Sequence, residues 1–326
     1  MSGGHGRRPK MLSLNGAAGK VAAIQVEAYR LRIIIANLVG DLEPKFDITL
    51  EGGPTLRSMA KILEDLAPLR VAAIAVPGVR QPRDGHIRLS PTAPALEGLR
   101  LEQELMDSTG IQVLVENDVN LAAVGETWQG VARDTSDVAF MWIGPGVGLG
   151  VISNGEILRG ASGSAGEIGF LPVQLGADGE DETLCLEKTA SEQALLEEAR
   201  RAAQEGGTGL ATVSELNLDT VFRVAELGDP KASRIEGNLV KRVAAASIAV
   251  ISICDPGSLV LGGSVAEAGG VRFVDKVRES IAGRAPADFS LELTGLGNMA
   301  VLKGGVAMAL SKARRELVSV TKEGVR

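Results

Sequence analysis

The chain has 326 residues, enough for about two domains with substantial cores, which excludes a single small module or a disulfide-stapled miniprotein. Its 34 Lys and Arg against 41 Asp and Glu give a formal charge of −7, an acidic balance that argues against a general polyanion-binding surface. Aromatics are 3%, with Trp128, Trp142 and a single Tyr29, too few rings to stack single-stranded bases. Cys185 and Cys254 are the only cysteines, too few for a disulfide framework and suited to a reducing compartment. The opening MSGGHGRRPK is charged with no apolar run behind it, unlike a secretory signal. The longest strongly apolar segment, Val243 to Cys254, falls short of the ~18 residues of a membrane span. A cytoplasmic protein without a membrane partner is expected.

Residues 1–20 are Gly-rich and basic and read as a leader or linker remnant. VAAIQV from Val21 and LRIIIANL from Leu31 are rich in β-branched residues and predict a hairpin, with KFDITLE as a third strand. Leu56, Met59, Leu63 and Leu66 recur at helical spacing, and VAAIAV at 71–76 is a wholly apolar strand stopped by Pro77 and Gly78. A helix from Leu101 to Thr109 leads to the strand IQVLV, which runs into Glu116, Asn117 and Asp118. The order predicts an α/β domain with a mixed sheet.

The same opening recurs as DVAFMWIG, a glycine-rich turn at Gly144 to Gly150, GVIS and GEILRG. An internal duplication with a cleft between the halves follows. Leu195 to Ala203 and Ala232 to Ile253 predict helices, SLVLGG at 258–263 a buried strand, and Gly304 to Glu316 a final helix returning to the first domain. The first lobe is expected at residues 21–120 with 301–326, and the second at 121–300.

Asp118 is expected at the carboxyl end of a parallel strand, where open α/β sheets place ligands. A carboxylate there can accept a proton from a substrate hydroxyl, with Asn117 beside it as donor and acceptor to neighbouring hydroxyls. The alternative is an Asx turn capping the helix that follows.

VENDVNLAAVGE, AVPGV at 75–79, SGSAGEIG at 162–169, CLEKTAS at 185–191 and LVLGGSVAEAGG at 259–270 together resemble the ROK family of bacterial sugar kinases and sugar-responsive transcriptional regulators. The resemblance runs from about Gly6 to Ala309. It implies the actin-like ATPase fold of the sugar kinases, an α/β fold of two lobes around a central cleft. It also implies Asp118 as the catalytic base position and Asn117, Glu167, Glu187 and the Gly78 turn at a sugar. Degenerate nucleotide motifs would lie at Gly144, Gly146, Gly148, Gly262 and Gly263.

Departures from the family pattern bear on activity. Where its kinases carry a DxGGT phosphate turn, this chain reads Gln25, Val26, Glu27, Ala28 and Tyr29. Side chains replace both glycines, and Glu27 brings a negative charge toward a phosphate at a cost of ~1–4 kcal/mol. In the second turn Pro145 removes a hydroxyl and a backbone donor. Phe170 replaces the histidine of a zinc site that is also a sugar contact, and GADGEDETLC keeps only Cys185 of its cysteines. The chain's histidines, His5 and His86, are not spaced to replace the missing ligands, so no structural zinc is expected. Thr92 stands where an asparagine usually reaches the sugar.

HGRRPKMLSLNGAAG resembles the join between an amino-terminal winged helix-turn-helix and the effector part of a ROK regulator. The helix-turn-helix itself is not in this sequence, so DNA contact is expected only through such a missing segment. The favoured expectation is a non-catalytic, sugar-sensing and dimerising domain of a transcriptional regulator, a homodimer or higher oligomer that needs no cofactor. One rival is an ATP- and magnesium-dependent hexose or amino-sugar kinase with Asp118 as base. Another is a structural dimerisation module.

Overall fold

The computed structural model describes residues 15–173, 184–286 and 288–323. The basic stretch at 1–14 lies outside them, but the rest of the expected leader is part of the fold. Asn15 caps a single 3-10 turn, Gly16–Ala18, by accepting the Ala17 N–H, and the Arg70 guanidinium holds the Ala18 carbonyl at 2.9 Å. These bonds satisfy backbone groups that a solvated linker would leave to water.

Strand β1 (Lys20–Glu27) pairs antiparallel with β2 (Arg30–Asn37), from Lys20 opposite Asn37 to Glu27 opposite Arg30, and β3 (Phe46–Thr49) joins the far side of β2. Helix α1 (Leu56–Leu66) starts at a reciprocal Thr55–Ser58 capping box and buries Met59, Ile62 and Leu63. Strand β4 (Val71–Val76), buried throughout, runs parallel to β1. A short ribbon of β5 (Val79–Arg80) and β6 (Ile87–Arg88) then leads through α2 (Leu101–Thr109) to β7 (Gln112–Asn117), parallel to β4. The sheet order is β3-β2-β1-β4-β7.

Helix α3 (Asp118–Gln129) carries the chain to β8 (Val138–Ile143), β9 (Val147–Ser153) and β10 (Glu156–Ile157). A small ribbon of β11 (Pro172–Val173) and β12 (Leu184–Cys185) precedes α4 (Glu187–Ala190), α5 (Glu192–Glu205), α6 (Leu218–Glu226) and α7 (Pro230–Cys254). Then follow β13 (Ser258–Gly262), α8 (Ser264–Ile281), β14 (Ser290–Leu293) and α9 (Ala300–Glu323). The second sheet runs β10-β9-β8-β13-β14 and repeats the topology of the first: three antiparallel strands and two parallel additions.

Alternation along β1 gives each face of the first sheet its own core. Ile24 and Val26 pack with Met59, Leu63, Leu101 and Leu105 beneath α1 and α2, while Val21 and Ala23 meet Leu302, Val306 and Leu310 of α9. On the second sheet, Phe140 and Val260 pack under Leu121 and Ala122 of α3, and the opposite face is covered by α5 to α8. Helices α3 and α9 cross between the sheets at glycines. A Cβ on Gly304 would lie 1.7 Å from the Leu121 carbonyl oxygen, and one on Gly125 2.2 Å from that of Ala300.

Two boundaries differ from the sequence expectation. Gly304 and Gly305 lie inside α9 rather than at its start: Gly304 meets the α3 backbone at the crossing, and a Cβ on Gly305 would come 2.7 Å from the Ala23 side chain on β1. The Gly144 to Gly150 turn shrinks to Gly144, Pro145 and Gly146, since Ile143 pairs with Val147 and Gly148 and Gly150 join β9. Helix α7 spans the expected Ala232 to Ile253 with two residues more at its start and one at its end. It is long and apolar enough over part of its length to match a membrane span, yet Ile235, Leu239, Val243, Val250 and Ile251 belong to the second core. Its buried Glu236 is paired with Arg272 at 3.0 Å and Lys276 at 2.8 Å on α8.

Candidate functional site

Strand β7 ends where the first sheet opens toward the second. The Asn117 carboxamide oxygen caps α3, accepting the N–H of Val119 at 2.9 Å and of Asn120 at 3.1 Å, while its Nδ2 donates to the Gly78 carbonyl at 3.1 Å. Capping therefore falls to Asn117, and the Asp118 of the expected Asx turn is instead the first helical residue. The asparagine side chain keeps one amide hydrogen for a ligand. Gly78 contributes its carbonyl to this tie.

Asp118 accepts the Val119 N–H at 2.9 Å and is otherwise held among carboxylates. Burial pushes its carboxyl up to about 7, the hydrogen bonds from Val119 and its own N–H oppose this, and the charges of Glu167 and Glu27 add to the rise. Glu167 is raised as well, by burial first and by the charge of Glu187 second. Its residue precedes the 3-10 turn Ile168–Phe170, but its side chain makes no cap. Glu187 heads α4, and its Oε2 accepts the Val147 N–H at 3.1 Å, so it pins the start of β9 as well as facing Glu167. Asp118 thus lies in the field of Glu167, and Glu167 in that of Glu187, a row of carboxylates to which a polyhydroxylated ligand can donate.

The pair that fastens the two sheets beside these groups was not identified from the sequence. Glu116 is buried, and its Oε2 lies 2.7 Å from both Nε and Nη2 of Arg159, which follows β10. Its Oε1 accepts the Asn117 N–H and Asn120 Nδ2, each at 3.0 Å. The only available signal was the place of Glu116 in VENDVN; Arg159, in GEILRG, gave none.

The first hairpin turn is narrower than a phosphate loop. The β1–β2 ladder runs to Glu27 opposite Arg30, leaving only Ala28 and Tyr29 to turn. Arg30 Nε donates to Glu27 Oε2 at 2.7 Å. Arg32 Nη1 donates to Gln25 Oε1 at 3.2 Å and to the Asn298 carbonyl at 3.0 Å. This turn therefore presents carboxylate and side-chain bulk, and its two guanidinium groups are already engaged.

At the second turn, Gly144 N–H closes on the Gly146 carbonyl at 3.0 Å, and the Gly144 carbonyl accepts the Glu192 N–H at 2.8 Å. Gly148 lies in β9, where a Cβ would meet the Val119 side chain at 3.3 Å, so it is packed against α3 rather than held in a loop. Gly262 ends β13 over the Phe140 ring. Gly263 precedes α8 with φ +90°, and a Cβ there would come 2.5 Å from the Ile143 carbonyl oxygen, so both backbone and space require glycine.

Phe170 is exposed and Cys185 half-buried. Among the described residues no three His, Cys, Asp or Glu form a group able to hold a metal. Most of GADGEDETLC, at 176–183, lies outside the described residues, as does His5. Thr92 is exposed in a turn.

Two sheets of one topology, crossed by α3 and α9 and bearing carboxylates where they face each other, make this the actin-like ATPase fold of the sugar kinases. Within that fold the chain belongs to the ROK family, whose model matches residues 54–312. It is 26% identical over 328 residues to a xylose repressor of Caldicellulosiruptor bescii, covering 94% of this chain and 82% of that protein. It is also 26% identical over 299 residues to a beta-glucoside kinase of Listeria innocua, covering 91% and 99%. The crystal structure of a ROK family transcriptional regulator, a homolog of the E. coli MLC protein, superimposes with a TM-score of 0.80 at 23% identity, over 92% of this chain and 79% of that one.

Proposed function

We propose that this chain is a non-catalytic sugar sensor, the effector and dimerising part of a cytoplasmic ROK regulator. The carrying observation is Arg32: its guanidinium spans Gln25 and the Asn298 carbonyl, while Glu27 pairs with Arg30. A nucleotide triphosphate entering there would have to displace these bonds and face Glu27, with no glycine backbone to approach. The residues present do not fit ATP with magnesium, and the described remains of the zinc motif do not fit zinc. The sugar side keeps Asp118, Glu167 and Glu187 as acceptors and one Asn117 donor. Relatives named for xylose and for beta-glucosides support a pentose or hexose unit as the ligand class. Closure of the lobes on that ligand would change the geometry offered to a DNA-binding helix-turn-helix joined at the amino terminus.

The kinase reading draws support from Asp118, whose carboxyl near 7 suits a general base at neutral pH. The test separates the readings. Purified protein is expected to consume no ATP with any sugar of a pentose, hexose and amino-sugar panel, and turnover that vanishes in Asp118→Asn would overturn the sensor reading. In a thermal-shift screen, a bound sugar at a hundred times its Kd stabilises the fold by about 2.7 kcal/mol. No shift with any carbohydrate would leave a structural dimerisation module instead.

A further inference from the structure

Outside the carboxylate cleft, a pocket of about 340 Å³ opens beside the β5–β6 ribbon, lined by Arg80, Arg83, Asp84, Arg100, Glu102 and Gln103 among others. Its two acids are already engaged. Glu102 Oε2 accepts the Val115 N–H at 3.1 Å and lies 3.3 Å from Arg80 Nε. Asp84 Oδ1 accepts the His86 N–H at 3.1 Å and is also 3.1 Å from the imidazole Nδ1. The guanidinium groups of Arg83 and Arg100 are exposed and make no hydrogen bond or ion pair among the described residues. Arg80 Nη2 donates to Glu102 Oε1 at 3.3 Å, while its buried Nε, despite the ion pair, has no hydrogen-bond acceptor. The first turn of α2 enters the same pocket, and its N-cap residue, Arg100, supplies no side-chain cap.

We propose that this pocket is an anion site for a small phosphorylated metabolite, separate from the cleft between the lobes. Two exposed guanidinium forks without a hydrogen bond, Arg83 and Arg100, match the oxygens of a phosphate monoester, which carries close to two negative charges at neutral pH; the second lies in the field of Asp84, and Glu104 holds the Arg100 N–H at 2.9 Å, so the anion competes with these carboxylates for the arginines. The volume lies at the small end of the roughly 300–1,000 Å³ of metabolite sites. The pocket is mechanically joined to the cleft. Arg80 is two residues beyond Gly78, whose carbonyl Asn117 holds. The Arg80 carbonyl oxygen also packs on Gly163, where a Cβ would approach to 2.5 Å, in the loop that carries Glu167. An anion drawing Arg80 toward Arg83 and Arg100 therefore acts on the turn and the loop that position Asn117 and Glu167.

The test is calorimetric titration of the full chain with inorganic phosphate and with glycerol 3-phosphate, glycerol serving as the uncharged control. Saturable binding is expected, weakened about tenfold or more in R83A/R100A and unchanged in Asp118→Asn. Both side chains are exposed and make no hydrogen bond among the described residues, so the double variant keeps the fold, as circular dichroism would verify. Equal affinity in wild type and R83A/R100A, absence of binding at millimolar ligand, or loss of binding only in Asp118→Asn would each overturn the proposal.

Discussion

Across the first hairpin, the guanidinium of Arg32 donates to the side-chain oxygen of Gln25 at 3.2 Å, with both residues 7% exposed. The same Nη1 holds the Asn298 carbonyl at 3.0 Å and lies 3.8 Å from Glu27. A strand interior that elsewhere buries Leu31 and Ile33 thus encloses a charge, and the charge has partners on two segments far apart in sequence. Truncating it strands a buried amide oxygen and a carbonyl. Arg32→Ala is expected to cost about 2–4 kcal/mol, read as a lower urea midpoint with an unchanged slope. An unaltered midpoint would mean that the buried guanidinium contributes nothing net.

Asp118 should make stability depend on pH in an unusual direction. Its carboxyl sits at about 7 in the fold, against about 3.9 in an unfolded chain. Between those values the folded state binds more protons, so stability falls as pH rises from 4 to 7 and levels off above. Asp118→Asn removes this penalty while keeping an oxygen for the Val119 N–H. The variant is expected to be more stable than wild type at pH 8, by on the order of 1–4 kcal/mol, and nearly equal to it at pH 4. Urea unfolding at the two values measures the difference; an equal effect at both would show that Asp118 ionises freely.

Most of the fold was legible because its strands carry local signals. VAAIQV, VAAIAV and SLVLG are short apolar runs bounded by turn residues, and each became a sheet strand. The end of β7 was legible for the same reason, which placed Asn117 and Asp118 next to the facing sheets. Arg32, Glu116 and Arg159 were not, because their partners lie on other elements: Asn298 is 266 residues from Arg32, and Arg159 is 43 from Glu116. No local pattern encodes such pairs. Gly304 misled for a related reason. Its glycine suggests a helix start, whereas packing against α3 places it inside α9.

The Glu116–Arg159 pair is the next place where a small change should be felt. Glu116 is buried and distributes its oxygens among Arg159, the Asn117 N–H and Asn120. Arg159→Met keeps the apolar stem but removes the counter-charge, so a buried carboxylate loses its cation. A loss of about 2–4 kcal/mol is expected, and a weaker sugar-induced thermal shift should accompany it because the two lobes lose a tie beside Asn117. Glu116→Gln/Arg159→Met removes the stranded charge and should recover part of the stability. If the single variant is as stable as wild type, the pair does not fasten the lobes.

The crossing of α3 and α9 leaves no room for side chains. At Gly304 a Cβ would sit 1.7 Å from the Leu121 carbonyl oxygen and 2.9 Å from the Gly125 nitrogen. Both neighbours are backbone, so no rotamer change can relieve the clash, and the helices must separate. Alanine gains up to about 1 kcal/mol of helix propensity over glycine, but forcing packed backbone apart costs about 1–3 kcal/mol or more, so the clash wins. Gly304→Ala is therefore expected to lower the thermal midpoint although alanine is the better helix former. Helix α3 begins at Asp118, so the displacement should also reach the cleft and reduce any sugar response. Gly125→Ala meets the same crossing from the other side, at 2.2 Å from the Ala300 carbonyl oxygen. Once one substitution has spread the helices, the second costs less, and the double variant should be less destabilised than the sum of the singles. Strict additivity of the two midpoint shifts would place the strain at two independent sites and contradict the shared crossing.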